Sequence, residues 1–415
     1  MNRVYFCIDL KTFYASVECV ERGLDPFKTD LVVADIKRSK NTICLAISPH
    51  MKMRGIKNRC RMWEIPYNIH PIIAKPRMKK YIEYSALIYS IYLKYISPND
   101  IHPYSIDEMF LDVTSYLKLY QKSPIELAHT IMNDIYETTG ITATAGIGTN
   151  LYLAKVALDI ISKKSRTNIG YLDEALYKKQ LWHHTPLTDF WRIGTGIEER
   201  LNKHHIKDMY DIAHTDPMIL YKEFGINAEF LIDHALGIEP CTIKEIKEYK
   251  PKSNSISNNQ ILSEDYNYEN ARIVLIEMID NLVLQLVSMN KCTDHVGFYI
   301  GYSKSEIKSL KVSLKINQSS SFKNISALLL KEYDFRINKQ YKIRRIGIWF
   351  NNIHIKKYEQ LDLFNKNKKE DTKIESVMND IKNKYGKNSI LRAISYQEKA
   401  TARIRNNLIG GHNAQ

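Results

Sequence analysis

Val4-Tyr5-Phe6-Cys7-Ile8-Asp9-Leu10-Lys11-Thr12-Phe13-Tyr14-Ala15-Ser16-Val17-Glu18 is the stretch on which the fold turns. Its first five residues are all apolar, as expected of a β-strand covered on both faces. The run ends at Asp9. From Thr12 the period changes: Phe13, Val17 and Val20 share one helical face, and Gly23 stops the helix. A buried strand running through an acidic residue into a helix is the opening unit of an α/β domain.

The residues that follow extend this pattern. Leu31–Ala34 and Thr42–Ile47 read as short strands around the basic turn 37–41, and residues 83–95 read as a helix rich in Tyr, Ile and Leu. Ile106–Val113 is a further strand region opened by the acidic pair Asp107-Glu108. Pro124 suits a helix's first turn, and Leu127, Ile131 and Ile135 carry that helix to Gly140. A Thr- and Ala-rich strand to Gly148 and a helix capped by Asn150 complete the alternation, so residues 1–170 form one α/β domain. Beyond about Leu172 the chain reads as helices punctuated by glycine, at Gly194-Thr195-Gly196, Gly225 and Gly237. Residues 241–254 are lysine-rich and polar, as a linker is. Residues 255–358 mix one long helix with three strands, a second α/β module. From 359 onward the composition is that of a flexible polar tail with one amphipathic helix near 374–385.

Composition narrows the function classes. Lysine and arginine number 60 against 46 acidic residues among 415, a surplus of 60 − 46 = +14. That surplus points to a polyanionic partner, nucleic acid above all. No apolar run approaches the length needed to span a bilayer. The N-terminus lacks a signal-peptide layout, and the six cysteines form no C-x-x-C pair, which suits reduced thiols in a cytoplasmic protein. His183-His184 and His204-His205 lack zinc-ligand spacing.

Asp9 ends a buried strand, and Asp107 and Glu108 sit at a second strand junction. Carboxylates at strand ends of one sheet can converge on Mg²⁺, which takes oxygen ligands and keeps waters that a phosphate can replace. Asp112 lies on the same strand and reads as structural.

The segments Asp9–Glu18 and Ser105-Ile106-Asp107-Glu108 resemble the two signature motifs of the Y-family (DinB/UmuC superfamily) DNA polymerases, and the later parts resemble its UvrX/ImpB/MucB/SamB-type branch. The resemblance covers essentially the whole chain. It implies an α/β multidomain right-hand polymerase: palm and fingers over 1–170 (fingers about 13–79), a helix-hairpin-helix thumb over 171–240, a linker, an α/β little finger over 255–358 and the tail. It implies that Asp9, Asp107 and Glu108 are catalytic carboxylates and that they hold two Mg²⁺ ions with the Leu10 carbonyl. Tyr14 matches the family's steric gate, a ring under the sugar that excludes a 2′-hydroxyl, with Phe13 behind it. Lys52 and Lys163 are the implied triphosphate contacts. Relatives carry a Tyr-x-x-Arg pair where this chain has Pro49 and Lys52, and lysine offers a point charge, not a bidentate fork.

Gly194 and Gly196, with Gly225 as a weaker second copy, resemble hairpins that approach DNA phosphates. Lys304, Lys308, Lys311 and Lys315 are candidate DNA contacts of the little finger. Gln360-Leu361-Asp362-Leu363-Phe364 resembles the peptide with which bacterial polymerases dock on the sliding clamp. The implied function is translesion synthesis from dNTPs on damaged primer-template DNA, by a cytoplasmic monomer without membrane contact, with low fidelity in SOS mutagenesis. The alternative is a non-catalytic or partner-dependent, DNA- and clamp-binding mutasome subunit. The crowded carboxylates argue against it, because a scaffold has no use for negative charge beside DNA. A palm-type enzyme making a cyclic nucleotide would have no use for the thumb and clamp motifs.

Overall fold

A computed structural model describes residues 3–36, 42–251, 254–304, 306–355 and 368–415. They form two compact units, one up to Tyr249 and one from Lys250 to Ala414.

The first unit contains β1 (Tyr5–Leu10), β2 (Leu31–Val33), β3 (Ala46–Ile47), β4 (Ile72–Ala74), β5 (Ile101–Pro103), β6 (Glu108–Asp112), β7 (Ala143–Gly148) and β8 (Ile169–Leu172). Its main sheet has the order β5-β6-β1-β7-β8. β1 lies at the centre, antiparallel to β6 and β7, which explains its unbroken apolar run: both faces are covered. The helix after it, Phe13–Val20, buries Phe13 and Val17 as the periodicity requires. A small second sheet, β3-β2-β4, packs around Val32, Cys44, Ile47 and Met51. The Pro124–Thr139 helix has the expected proline start, a Ser123–Glu126 capping box and Gly140 at φ +69° as its stop.

Two glycines decide how close the next helix lies. A Cβ on Gly146 would stand 2.1 Å from the Ala154 carbonyl oxygen, and one on Gly148 would stand 2.2 Å from the Ala154 nitrogen. The Leu151–Val156 helix, capped by Asn150 as expected, therefore lies directly on β7. It continues through a π-helical turn, Ala157–Ile161, into Ser162–Lys164. The helix read at 83–95 spans Met78–Tyr92, its polar opening having hidden the first turns.

The expected linker at 241–254 needs correction. Thr242 and Glu245 form a capping box that starts a helix, Ile243–Glu248. Ile243 packs with Tyr5, Cys7 and Phe110 in the core of the first unit, which ends at Tyr249.

The second unit holds β9 (Ile256–Tyr266), β10 (Lys291–Tyr302), β11 (Leu310–Ser319) and β12 (Ile343–Ile355), in the order β11-β10-β12-β9. The Tyr268–Ser288 and Phe322–Arg336 helices cover one face around Val296, Phe298, Ile346 and Ile348. The expected flexible tail is folded from Lys368 onward. A helix, Lys368–Tyr385, packs on the Tyr268–Ser288 helix. Arg392 bonds Asp280 and Glu375, and the Thr401 and Ala402 N–H groups donate to Glu277 at 2.8 and 3.0 Å. Polar composition concealed this because the docking is by charge-assisted bonds to acids on a partner helix. Among the described residues no helix is long and apolar enough to cross a membrane.

Candidate active site

Antiparallel pairing of β1 and β6 sets Asp9 directly opposite Glu108. Directly opposed residues project from the same face of a sheet, so the two carboxylates share one side. Asp107 precedes Glu108, and its carbonyl accepts from the Leu10 N–H at 3.0 Å. All three sequence-selected acids thus meet at one strand end. Burial, then the charges of Asp107 and Glu108, push the Asp9 carboxyl up to about 7. Among the described residues, no donor is hydrogen-bonded to that carboxylate.

Glu108 is better provided for. It is 8% exposed, and its carboxylate takes the Lys155 ammonium at 2.9 Å and the Cys7 thiol at 3.1 Å. Lys155 is itself buried and also pairs with Asp159 at 3.1 Å. Burial works against its charge, but Cys7, Asp159 and Glu108 prevail and hold the ammonium protonated. Sequence reasoning missed Lys155, which looks like an ordinary helix lysine until the helix is laid on β7.

As placed, no three His, Cys, Asp or Glu side chains among the described residues form a closed cation site, since Glu108 faces Lys155. The donor chemistry nevertheless fits a hard divalent cation. Asp9 is crowded by two acids without a compensating donor, and Asp107 is half-exposed at the same edge with only the Ser105 hydroxyl on its carboxylate. Asp112 is structural as expected, accepting from the Thr114 N–H and hydroxyl.

Thr12, at φ +44°, makes the sharp turn from β1 into the first helix and leaves that helix without a side-chain cap. Phe13 is buried, and Tyr14 is half-buried with its ring 5.7 Å from Phe13 and 4.6 Å from Tyr81. Burial, then the Asp107 charge, raise the Tyr14 hydroxyl pKa, which places this ring within electrostatic reach of the acidic edge. Its backing ring is fixed from below. Tyr81 donates to the fully buried Glu18 carboxylate at 2.8 Å, and Arg77 grips the same carboxylate through two bonds of 2.9 and 3.0 Å, with Arg22 as a further partner. Burial disfavours the Glu18 charge, but these donors hold its pKa below the usual range. Only the fold shows that Glu18 anchors the Tyr81 ring behind Tyr14.

Pro49 is buried at the start of a short helix whose N-cap is Ser48, and Lys52 points to solvent. Lys163 is also largely exposed, 4.0 Å from Asp159, so Asp159 stands between one buried and one exposed lysine.

Gly194 caps the Thr195–Asn202 helix and Gly196 lies in its first turn, both with open space where a Cβ would project. Gly225, at φ +60°, ends the Pro217–Phe224 helix with similar freedom. In the second unit Lys304, Lys308, Lys311 and Lys315 are all exposed. Lys311 and Lys315 pair across to Tyr299 and His295 on the uncovered face of the sheet, and Lys311 lies 5.5 Å from the Trp349 ring. Gln360, Leu361, Leu363 and Phe364 lie outside the described residues.

Comparison with known proteins agrees with this architecture. The impB/mucB/samB family matches residues 8–159, and the impB/mucB/samB family C-terminal domain matches residues 253–363. "Putative UV-damage repair protein UvrX" of Bacillus subtilis (strain 168) is 33% identical over 417 residues, covering 98% of this chain and 96% of that protein. "DNA polymerase IV 2" of the same organism is 28% identical and covers 99% of both chains. Among solved structures, "Y-family DNA polymerase chimera Dbh-Dpo4(243-245)-Dbh" shares the fold, with a TM-score of 0.63 and 23% identity over 85% of this chain and 99% of that one.

Proposed function

The chain belongs to the impB/mucB/samB family and is a Y-family DNA-directed DNA polymerase of the UvrX/DinB type; from that premise we propose that it copies damaged template DNA by two-metal nucleotidyl transfer. The single observation carrying this reading is the meeting of Asp9, Asp107 and Glu108 at one sheet edge with the Tyr14 ring beside them.

Asp9, Asp107 and the Leu10 carbonyl, with Glu108, would hold two Mg²⁺ ions. When bound, such ions lower the pKa of the attacking primer hydroxyl and neutralise charge on the departing pyrophosphate. Lys155, paired with Glu108 at 2.9 Å, holds that carboxylate in place at the edge. Tyr14, clamped between Phe13 and Tyr81, occupies the space a 2′-hydroxyl needs, which selects deoxynucleotides. Lys52 and Lys163 supply cations for the triphosphate. The open backbone at Gly194, Gly196 and Gly225 and the exposed lysines of β11 grip phosphates without reading sequence. Gln360, Leu361, Leu363 and Phe364 dock on the bacterial sliding clamp, and the enzyme acts as a cytoplasmic monomer in low-fidelity SOS synthesis.

The test is primer extension by the purified chain with Mg²⁺ and dNTPs on intact and lesion-bearing templates. Extension by the wild type and its loss in Asp107→Ala are expected. Extension that survives Asp107→Ala sinks the assignment, and activity appearing only with added protein partners favours the mutasome-subunit reading.

A further inference from the structure

The Thr195–Asn202 and Asn227–Leu236 helices, with the turn before the first of them, enclose a cavity of about 320 Å³. Neither the acidic edge nor the aromatic gate contributes to it. Its walls are mostly apolar, and Trp191, Phe224 and Phe230 supply the rings. Two groups in it are chemically unspent. The first is Arg192, which is exposed, with its guanidinium 4.9 Å from the Trp191 ring and 5.2 Å from the Phe230 ring. Among the described residues, no carboxylate lies within ion-pair distance of it. Glu239, the acid on which its charge acts, already holds the His234 Nε2 at 3.1 Å and the Cys241 N–H at 2.9 Å. Arg192 also sits at φ +70°, a backbone state that a non-glycine residue keeps only where its surroundings impose it. The second group is His234, a wall residue only 5% exposed. Its Nε2 is engaged by Glu239, but its Nδ1 has no partner among the described residues. Arg200, the other cation of the cavity, is by contrast committed to Glu223 at 2.7 Å.

We propose that this cavity binds one unpaired nucleotide unit, its base among the aromatic walls and its phosphate on Arg192. Each part of that ligand answers one feature. An arginine without an acid calls for an anion, and the planar guanidinium is the cation best suited to phosphate. A flat heterocycle stacks on aromatic rings and on the guanidinium plane itself. In a neutral His234 that donates its Nε2–H to Glu239, Nδ1 is an acceptor, and nucleobase edges carry the N–H donors it needs. An aliphatic anion would satisfy Arg192 but leave that buried nitrogen unpaired. The cavity is at the small end of ligand-sized pockets, which suits a single nucleotide and not a duplex. The unit can be a free nucleotide or an unpaired residue of a strand, because Ile193 and Ile197 on the wall flank the open backbone of Gly194 and Gly196. The inference goes beyond the polymerase reading and makes no use of the acidic edge.

Deoxyadenosine monophosphate, titrated calorimetrically into the full-length chain with EDTA present, is the direct probe. Arg192→Gln and Phe230→Ala should each weaken its binding about 5- to 10-fold, and Arg192→Lys should recover only part of the loss. Both side chains are exposed, so these variants test the cavity without unsettling the core. Stacking should also quench Trp191 fluorescence, a signal that Trp191→Phe removes. Deoxyribose 5-phosphate, which lacks the base, should bind about 10-fold more weakly than the nucleotide. A short single strand of deoxyadenylate that displaces the mononucleotide identifies a strand as the source, and a mononucleotide that no strand displaces identifies the free nucleotide; either supports the cavity. No binding by the wild type, or unchanged affinity in a folded Arg192→Gln or Phe230→Ala protein, overturns the proposal. A wild type that extends no primer, but whose nucleotide binding falls on either substitution, overturns the polymerase reading and leaves the cavity standing.

Discussion

The acidic edge around Asp9 and the exposed lysines elsewhere in the chain are built in opposite ways. Around the edge, the supporting acids are buried and over-determined: Glu108 has Lys155 and Cys7, and Glu18 has Arg77, Arg22 and Tyr81. On the basic surfaces, Lys52, Lys163, Lys311 and Lys315 end in solvent. Chemistry at one phosphorus atom needs side chains fixed to a fraction of an ångström, and burial with full hydrogen bonding supplies that rigidity. Holding DNA of any sequence through a cycle of advance needs charge without fixed geometry, and exposed lysines supply it.

Substitutions should separate the two designs by size of effect. Lys155→Met leaves Glu108 buried with an unpaired charge. We expect a loss of about 3–5 kcal/mol in unfolding free energy by denaturant titration, together with loss of primer extension. A stability close to wild type would break the comparison.

Next is the pH response of the metal-free protein. The folded-state pKa of Asp9, about 7, lies above its unfolded value near 3.8. The folded state therefore binds the proton more tightly, and stability contributed by this group falls as pH rises from about 4 to 7. Thermal melts in EDTA should decline over that window, Asp9→Asn should flatten the decline, and Mg²⁺ should raise the wild-type melting temperature most near pH 7.5.

A smaller effect is expected at the support of the gate. Tyr81→Phe removes one of the bonds on Glu18, costing about 1 kcal/mol. By loosening the ring behind Tyr14 it should raise ribonucleotide incorporation relative to deoxynucleotide, measured with paired substrates on one template. The mildest change is Lys315→Ala. It should leave melting unchanged, weaken DNA binding equally across sequences, and reduce the salt slope of log K by about 1.

Much of this was legible without coordinates. The apolar run of β1 announces a central strand, because a strand covered on both faces cannot alternate. Asp9, Asp107 and Glu108 stand at strand ends in the sequence pattern and meet at one edge in the fold. Ser123, Pro124 and Gly140 bound a helix by purely local stereochemistry. The Ile243–Glu248 helix was less legible, since a lysine-rich stretch reads as linker until Ile243 is seen among Tyr5, Cys7 and Phe110. The folded segment beyond Lys368 was hidden for the same reason. Its stability comes from Arg392, Thr401 and Ala402 meeting Asp280 and Glu277, far away in the chain.

Sequence alone determined the order of strands and helices, the excess of positive charge, and the placing of Asp9, Asp107 and Glu108 at strand ends, because periodicity, capping and strand-end position are local properties. Tertiary structure alone decided which groups hold them. Lys155 reaches Glu108 only because Gly146 and Gly148 let a helix lie flat on the sheet. Glu18 steadies Tyr81 only because two helices meet there. Charge and hydrogen bonding act through space over a few ångströms, and no regularity along the chain records which distant residues will come within that distance.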